Sequence, residues 1–370
     1  MHLYCLWMIF AVWFSAVLIV EIAPTRYNRP CHVGGAPLMV QVSVIATVKN
    51  EGDSIAQLLE SLRCQTRQPD EVVIVDGGSQ DDTLAQLGAW VDRGCLPLRI
   101  LVEPGCSISR GRNVGIAAAR GPVIACTDAG VRLEPSWLAS LLRPFEADRA
   151  AELGFIVACG FFLPETTTVF ETVMGATALP ALADINPDKF LPSSRSVAFL
   201  KSAWEAIGGY PEWLDYCEDL IFDFRLRARG YRFIFVPTAI AHFRPRGSLG
   251  AFFRQYYHYA RGDGKADLWR KRHAVRYLTY LLALPALLWL AATRSLLWGA
   301  LLVLGTAMMF WTPYRRLLPP IRSFKARDQW KAILLVPVIR VTGDVAKMLG
   351  YPVGIYWRWR HRCNVPRWRD

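Results

Sequence analysis

Charged side chains are scarce in this chain of 370 residues: they make up 20% of it, against 53% hydrophobic residues. Globular proteins carry about 25% charged residues on average. Internal repeats and low-complexity segments are absent from the sequence as well. A disordered or fibrous chain is excluded, because such chains have too few apolar side chains to bury. The apolar excess is concentrated towards the two ends, which argues against a purely soluble enzyme.

Close cysteine pairs are also missing. The nine cysteines are scattered, their number is odd, and no Cys-x-x-Cys or Cys/His cluster occurs. A disulfide scaffold or a zinc site needs cysteines at short, regular spacing. We therefore predict that the thiols are reduced.

The charge that is present is unbalanced. The chain has 43 Lys and Arg against 31 Asp and Glu, a formal net charge of +12. The basic residues accompany tryptophan at the ends of apolar runs, most clearly in the tail 358–369, and form no patch on the central part. This distribution indicates a lipid bilayer as partner and argues against nucleic acid.

The N-terminal end is predicted to anchor the chain. Residues 3–20 carry no charge and are just long enough to span a bilayer's hydrocarbon core. We predict a transmembrane anchor over residues 1–23 and a linker over 24–40. Arg26 and Arg29 follow the anchor, so the positive-inside tendency places the next segment in the cytoplasm.

The C-terminal third alternates basic and apolar segments. Residues 247–276 are predicted as an amphipathic interfacial segment, and residues 277–312 as a transmembrane helical hairpin with cytoplasmic flanks. Residues 313–370 are predicted as a re-entrant or interfacial helix with a basic tail, because a full crossing would place that tail outside.

Three charged residues in this last helix share one face. Arg340, Asp344 and Lys347 have helical spacing. Two interpretations are open: a contact with an acceptor phosphate, or a polar stripe paired internally through Asp344. The stripe is favoured.

Residues 41–246 have a different character, because strand patterns alternate with helical apolar spacing. The predicted strands are 42–46, 71–75, Leu98–Val102, Val123–Cys126 and 233–236. This alternation predicts a parallel α/β sheet. The ligand crevice of such a sheet lies beyond the carboxyl ends of its strands.

Five motifs fall at that edge. They are 42–51, 75–83, 109–116, 126–130 and the run from Gly208-Gly209 through Glu218-Asp219 to Arg225. The ordered set resembles the family 2 glycosyltransferases of GT-A fold, over a little more than half the chain. The resemblance implies a Rossmann-like α/β domain that binds a nucleotide-sugar.

The resemblance also implies residues that bind the donor. The first two motifs hold the nucleoside in that family, which points to Thr47, Glu51 and Asp76. Thr47 and Gly77 depart from the residues common there, which leaves the donor's base open. The alternative roles are local: Asp76 as a turn residue, and Glu51 as a cap of the helix near Ser54.

Two arginines are further donor candidates. Arg112 is predicted to pair with phosphates or with Asp128, and a plain surface position is the alternative. Arg261 lies in a Gln255-x-x-His258-x-x-Arg261 pattern. This pattern resembles the interfacial helix of membrane-bound relatives, in which the arginine meets the diphosphate. Binding to lipid headgroups alone is the alternative.

Asp219 is the predicted catalytic base. An acceptor hydroxyl needs a carboxylate within hydrogen-bond reach to take its proton. The alternative is an acidic residue favoured by the helix dipole at the start of a helix. Gly209, Glu218 and Gln255 are predicted on the acceptor side. The pair Ser79 and Asp82 is predicted as a helix capping box.

The resemblance implies a divalent metal at Asp128, because the family's Asp motif after the fourth strand meets one. Departure of a diphosphate needs its charge neutralised, commonly by Mg²⁺ or Mn²⁺ and cationic side chains. The family usually has two acidic residues in this motif, whereas Ala129-Gly130 follows Asp128 here. The predicted metal is weakly held, completed by His242, or partly replaced by cationic side chains. His242 as an ordinary strand-end residue is the alternative.

These observations together predict an inverting glycosyltransferase at the cytoplasmic face of a membrane. Its donor is a nucleotide-sugar, with a UDP- or GDP-sugar favoured, and its acceptor a lipid or lipid-linked saccharide. Two alternatives remain. A processive polysaccharide synthase would need more membrane segments, and an inactive sugar-nucleotide-binding membrane protein is kept open by the missing second acid.

Overall fold

The computed structural model describes residues 40–146 and 155–361. The predicted anchor, the linker up to residue 39 and the tail from residue 362 lie outside the described residues. The six cysteines reported within the described part are free thiols.

The first half of the sheet domain alternates strands and helices. In chain order its elements are β1 (Val42–Val48), α1 (Ile55–Arg63), β2 (Glu71–Asp76), α2 (Thr83–Arg93), β3 (Leu98–Val102), α3 (Ile108–Ala118) and β4 (Val123–Cys126). Strands β1 and β2 are runs of mostly β-branched residues buried nearly throughout. This is the pattern of parallel strands covered on both faces.

The second half of the sheet domain contains its longest strand. Its elements are β5 (Val131–Leu133), α4 (Trp137–Glu146), β6 (Ile156–Pro164), α5 (Val169–Ala178), β7 (Val197–Leu200), α6 (Lys201–Ala206), α7 (Glu218–Ala228) and β8 (Arg232–Phe243). Two short 3₁₀ turns, Leu182–Asp184 and Pro187–Lys189, precede β7.

All eight strands join one sheet in the order β3-β2-β1-β4-β7-β6-β8-β5. Strands β3, β2, β1 and β4 are mutually parallel. Strand β7 is antiparallel to β4 and β6, and β5 is antiparallel to β8. The predicted α/β class is confirmed, and the strands predicted from the sequence are mutually parallel. The antiparallel strands, β5 and β7, were not predicted.

The antiparallel strand has a consequence for the site. Val197 at the start of β7 pairs with Cys126 at the end of β4. The segment before β7 therefore meets the same sheet edge as the carboxyl ends of the parallel strands. Two apolar layers cover the faces of the sheet, one around Trp137 and Leu58 and the other around Phe199 and Phe222.

Helices make up the C-terminal third. They are α8 (Leu249–Lys265), α9 (Arg270–Tyr277), α10 (Leu284–Thr293), α11 (Leu297–Ile321) and α12 (Ala326–Arg360), with a π-helical turn (Leu278–Ala283) that joins α9 to α10. Two helices, Arg270–Thr293 and Leu297–Ile321, are long and apolar enough to cross a membrane by length and composition. The second continues past residue 312, where the predicted hairpin ends.

Helices α8 and α12 lie in close contact. A Cβ added at Gly350 would collide with the carbonyl oxygen of Tyr257, and one added at Gly354 with that of Arg261. The backbones approach so closely because neither glycine has a side chain. Helix α12 is thus part of the support of α8.

The polar stripe of α12 is centred on Asp344, as the favoured interpretation predicts. Its carboxylate accepts a hydrogen bond from Arg276 Nε at 2.8 Å and from the Tyr280 hydroxyl at 3.1 Å. Arg340 Nε lies 3.5 Å from the same group. The stripe joins α12 to the first candidate membrane helix.

Candidate active site

A buried arginine draws three carboxylates together at the carboxyl edge of β4. Helix α3 begins at a good N-cap, Ser107, whose side chain accepts from the backbone N–H of Arg110. One turn further on, Arg112 is 2% exposed. Its Nη2 donates to Asp128 Oδ1 at 2.9 Å, and its Nη1 donates to Glu218 Oε1 at 2.9 Å and to Asp219 Oδ1 at 3.0 Å.

This arrangement decides between the alternatives for Arg112. The predicted pairing with Asp128 is confirmed, and the surface position is wrong. All three carboxylates compete for one guanidinium, so Arg112 is fully engaged by the protein itself. It is a positioning residue for the acidic groups around it.

Asp219 is held by the segment before β7 as well. Ser194 donates to it twice, through Oγ to Oδ1 at 2.6 Å and through its backbone N–H to Oδ2 at 3.2 Å. The Ser194 hydroxyl also bonds to the Tyr210 hydroxyl at 2.8 Å. The Asp219 side chain nevertheless remains 24% exposed. It is therefore oriented by the protein and still reachable from the crevice.

Glu218 differs from its neighbour in burial. Its side chain is 10% exposed. Burial, with the charge of Asp219 as a further cause, raises the pKa of Glu218 to about 7. When Glu218 is protonated, the positive charge of Arg112 is shared by two carboxylates only, those of Asp128 and Asp219.

A second arginine completes the surroundings of Asp128. Arg195 Nε lies 3.2 Å from Asp128 Oδ2. The Arg195 guanidinium also lies over the rings of Phe243 and Phe162, 4.5 and 5.3 Å from their centroids. Burial alone would raise the pKa of Asp128, but the charges of Arg195 and Arg112 hold it below its ordinary value.

The residues at Asp128 do not fit a divalent metal. Both oxygens of its carboxylate face guanidinium groups, and no group of three or more His, Cys, Asp or Glu within residues 40–146 and 155–361 has a metal-binding arrangement. A hard dication needs several oxygen ligands. His242 bonds through Nε2 to Glu134, and it lies on the face of β8 opposite Phe243, the ring that Arg195 covers.

Asp76 lies inside its own loop. It is fully buried, and its Oδ1 accepts from the backbone N–H groups of Gly78 and Ser79, both at 2.9 Å. The Ser79 hydroxyl donates to Oδ2 and accepts from the N–H of Asn50 at 2.8 Å. The capping-box prediction for Ser79 and Asp82 is wrong. The Ser79 hydroxyl bonds to Asp76 instead, and α2 begins without a side-chain cap.

The other two residues predicted to bind the nucleoside, Thr47 and Glu51, lie at the end of β1 and just after it. Thr47 has a buried hydroxyl that finds no hydrogen-bond partner among the described residues, and its side chain packs against Gly111 of α3. The Glu51 carboxylate bonds to the hydroxyl of Ser54, the residue before α1, which supports its local role. It also lies 3.7 Å from the position of a Cβ added at Gly130, beside the loop of Asp128.

Helix α8 supports the loop that leads to Glu218. Arg261 bonds to Asp215, and Lys265 Nζ donates to the same carboxylate at 2.7 Å. Gln255 donates to the Tyr259 hydroxyl at 2.8 Å.

Gly209 has a structural role in this arrangement. Its φ is +73°, and an added Cβ would lie 2.7 Å from Asn113 Oδ1. That oxygen accepts from the N–H of Tyr210 at 2.8 Å and from Trp204 Nε1 at 2.9 Å. The glycine therefore lets the loop before α7 close onto α3.

Sequence reasoning missed Ser194, Arg195 and Tyr210. A signal existed: the polar run 193–196 directly precedes the apolar strand β7. It points to the crevice only if β7 is antiparallel to β4, which strand patterns alone do not reveal.

Comparison with known proteins identifies the family. The model of "Glycosyl transferase family 2" matches residues 43–173, and that of "Glycosyl transferase family group 2" matches residues 123–341, more than half the chain. The chain belongs to the family 2 glycosyltransferases.

Two curated relatives and one solved structure show how far the similarity extends. The chain is 25% identical over 237 residues to the O-antigen biosynthesis protein RfbC of Myxococcus xanthus, covering 57% of this chain and only 18% of that protein. It is 28% identical over 278 residues to the succinoglycan biosynthesis protein ExoA of Rhizobium meliloti (strain 1021), covering 70% and 78%. The mannosyltransferase PcManGT from Pyrobaculum calidifontis, solved with GDP-Man and Mn²⁺, has a TM-score of 0.57 at 20% identity over 93% of this chain and 94% of its own. The sheet has the GT-A fold.

Proposed function

We propose that this protein is an inverting glycosyltransferase that moves a sugar from a UDP- or GDP-sugar to a lipid or lipid-linked saccharide. The observation that carries the proposal is the Asp219 carboxylate, oriented by Arg112 and Ser194 yet 24% exposed beside Asp128. The family and the GT-A fold supply the class of donor.

The reaction needs one base and one leaving group. The acceptor hydroxyl oxygen attacks the anomeric carbon, its proton passes to Asp219, and the bond from that carbon to the nucleoside diphosphate breaks. Attack opposite the leaving group inverts the configuration at carbon. Two Ser194 hydrogen bonds and Arg112 hold the Asp219 carboxylate in place for this step.

The donor is proposed to lie along the carboxyl edge of β1, β2 and β4. Thr47, Glu51 and Asp76 border its nucleoside end, and Asp128 lies between that end and Asp219. Asp76 acts there through its loop, since its carboxylate is occupied by Gly78 and Ser79.

A membrane-associated acceptor is supported by the C-terminal helices. The first candidate membrane helix is bonded to α12 through Arg276 and Tyr280. Helix α12 packs against α8, whose Arg261 bonds to Asp215 in the loop before Glu218. The chain's similarity to ExoA, a succinoglycan biosynthesis protein, also supports polysaccharide or glycolipid assembly. A catalytic domain that faces the cytoplasm is part of the proposal, because Arg26 and Arg29 follow the apolar N-terminal run.

Transfer by the Asp219→Asn variant tests the proposal. The purified full chain in detergent is given UDP- and GDP-sugars with a membrane lipid extract. We expect the variant to lose turnover by at least about 100-fold, the usual contribution of a general base, while it binds nucleoside diphosphate within a few-fold of the wild type. Asp92→Asn on the exposed face of α2 is the matched control. Equal turnover by wild type and Asp219→Asn would remove Asp219 as the base, and donor binding without any transfer would favour an inactive binding protein.

A further inference from the structure

Asp128 is surrounded by cations where a metal site would have oxygen ligands. Its Oδ1 faces Arg112 at 2.9 Å and its Oδ2 faces Arg195 at 3.2 Å. The two guanidinium groups together carry the same +2 charge as a divalent cation. They also occupy both edges of the one carboxylate that would hold a metal.

The two arginines are not equivalent. The terminal nitrogens of Arg112 donate to Asp128, Glu218 and Asp219. Arg195 contacts Asp128 through Nε, and within residues 40–146 and 155–361 its two terminal nitrogens make no hydrogen bond to the protein. Guanidinium Nη groups are suited to bidentate binding of phosphate oxygens. Arg195 therefore keeps donors that an anion can use.

The position of Arg195 is fixed by its surroundings. Asp128 binds one side of the guanidinium, and the rings of Phe243 and Phe162 pack against its plane. Its side chain is 22% exposed, so the group reaches the crevice. A cation held in this way loses little conformational freedom when an anion binds.

We propose that Arg195 binds the diphosphate of the donor and, with Arg112 behind it, replaces the divalent metal in charge neutralisation. The inference rests on the proposed function. In the reaction, the guanidinium stabilises the negative charge that develops on the leaving diphosphate as the bond to the anomeric carbon breaks. Asp128 then positions Arg195 and binds no metal.

Binding of UDP and GDP to the full chain tests this, by calorimetry in EDTA and again in Mn²⁺. We expect one of the two nucleotides to bind equally well in both conditions. Arg195→Ala should weaken its binding about 10- to 100-fold, the loss expected for hydrogen bonds from a charged group. Arg195→Lys should restore part of the affinity, and the exposed Arg63→Ala should bind as the wild type does.

The outcomes separate the inference from the function it rests on. Binding and turnover that require Mn²⁺, with Arg195→Ala unchanged, would overturn the inference and leave the glycosyltransferase intact. Failure of wild-type protein to bind either nucleotide in both conditions would overturn both. Should Arg195→Ala not fold, the wild-type comparison in EDTA and Mn²⁺, together with Arg195→Lys, still decides.

Discussion

Two aspartates at the same edge of the sheet are stabilised by different partners. Asp76, the last residue of β2, is fully buried, and its hydrogen bonds come from backbone N–H groups and a hydroxyl. Asp128, just after β4, is 24% exposed and pairs with two guanidinium groups. Neutral donors within one loop fix that loop's shape. Arginines from separate elements hold the Asp128 carboxylate, and an incoming anion can bind the same arginines. This arrangement suits a site where negative charge develops during a reaction.

Among the variants considered, Arg112→Ala should destabilise the protein most, because it disrupts the charged surroundings of Asp128. Removal of the guanidinium leaves Asp128, Glu218 and Asp219 without their shared cation in a buried site. We expect the free energy of unfolding to fall by about 3–5 kcal/mol, as when one partner of a buried ion pair is deleted. Chemical denaturation in detergent measures it.

The control for this prediction is Arg110→Ala, two residues away on α3. Arg110 is 49% exposed and pairs with Glu103 at the surface. Its loss should leave the unfolding transition unchanged. Arg112→Lys should recover only part of the stability. The lysine ammonium lacks the planar fork of donors with which the guanidinium reaches three carboxylates. An equal loss for Arg110→Ala would refute the central role of Arg112.

Asp76→Ala, which removes the carboxylate held by neutral donors, should destabilise the protein less than Arg112→Ala does. The backbone N–H groups of Gly78 and Ser79 lose their acceptor, at a cost of about 1–3 kcal/mol. Because the loop then loses its shape, nucleotide affinity should fall together with thermal stability. Asp76→Asn, which keeps an acceptor oxygen, should lie between. A variant as unstable as Arg112→Ala would show that the two sides do not differ as described.

The pH dependence of stability should reveal Glu218. Burial and the charge of Asp219 raise its pKa from 4.5 to about 7 in the folded protein. The folded state then binds more protons than the unfolded state between these values, so the free energy of unfolding decreases as pH rises from about 4.5 to 7. We expect this component to be about 1–3 kcal/mol.

Glu218→Gln should remove that component. The measurement is the free energy of unfolding at several pH values, with Glu212→Gln, half-exposed on the same loop, as the control. A Glu218→Gln variant with the wild-type pH slope between 4.5 and 7 would show that Glu218 titrates normally.

Sequence reasoning found the residues that lie at the ends of regular elements. The strand pattern places Asp128 at the edge of an α/β sheet, whereas Asp219 follows from the resemblance to the glycosyltransferase family. The sequence places Arg112 at the start of its helix. Its burial is not predictable in this way, because it depends on three carboxylates from distant segments. Asp76 was also found, though its partner, Ser79, was assigned to a helix cap instead.

The part that sequence could not supply depends on strand direction. Arg195 lies in a loop before β7, and only the antiparallel pairing of β7 with β4 brings it to Asp128. Strand patterns give no direction by themselves. His242 illustrates the converse: its place in a motif suggested Asp128 as neighbour, whereas alternation along β8 turns it towards Glu134.

The close contact of α8 with α12 sets an order of events during synthesis. Helix α12 leaves the ribosome well after the sheet, α7 and α8 are complete, yet Gly350 and Gly354 are where α8 gains its backing. The loop through Asp215 that leads into Glu218 is tied to α8 by Arg261 and Lys265. We therefore expect the site to acquire its final shape only when α12 docks against α8.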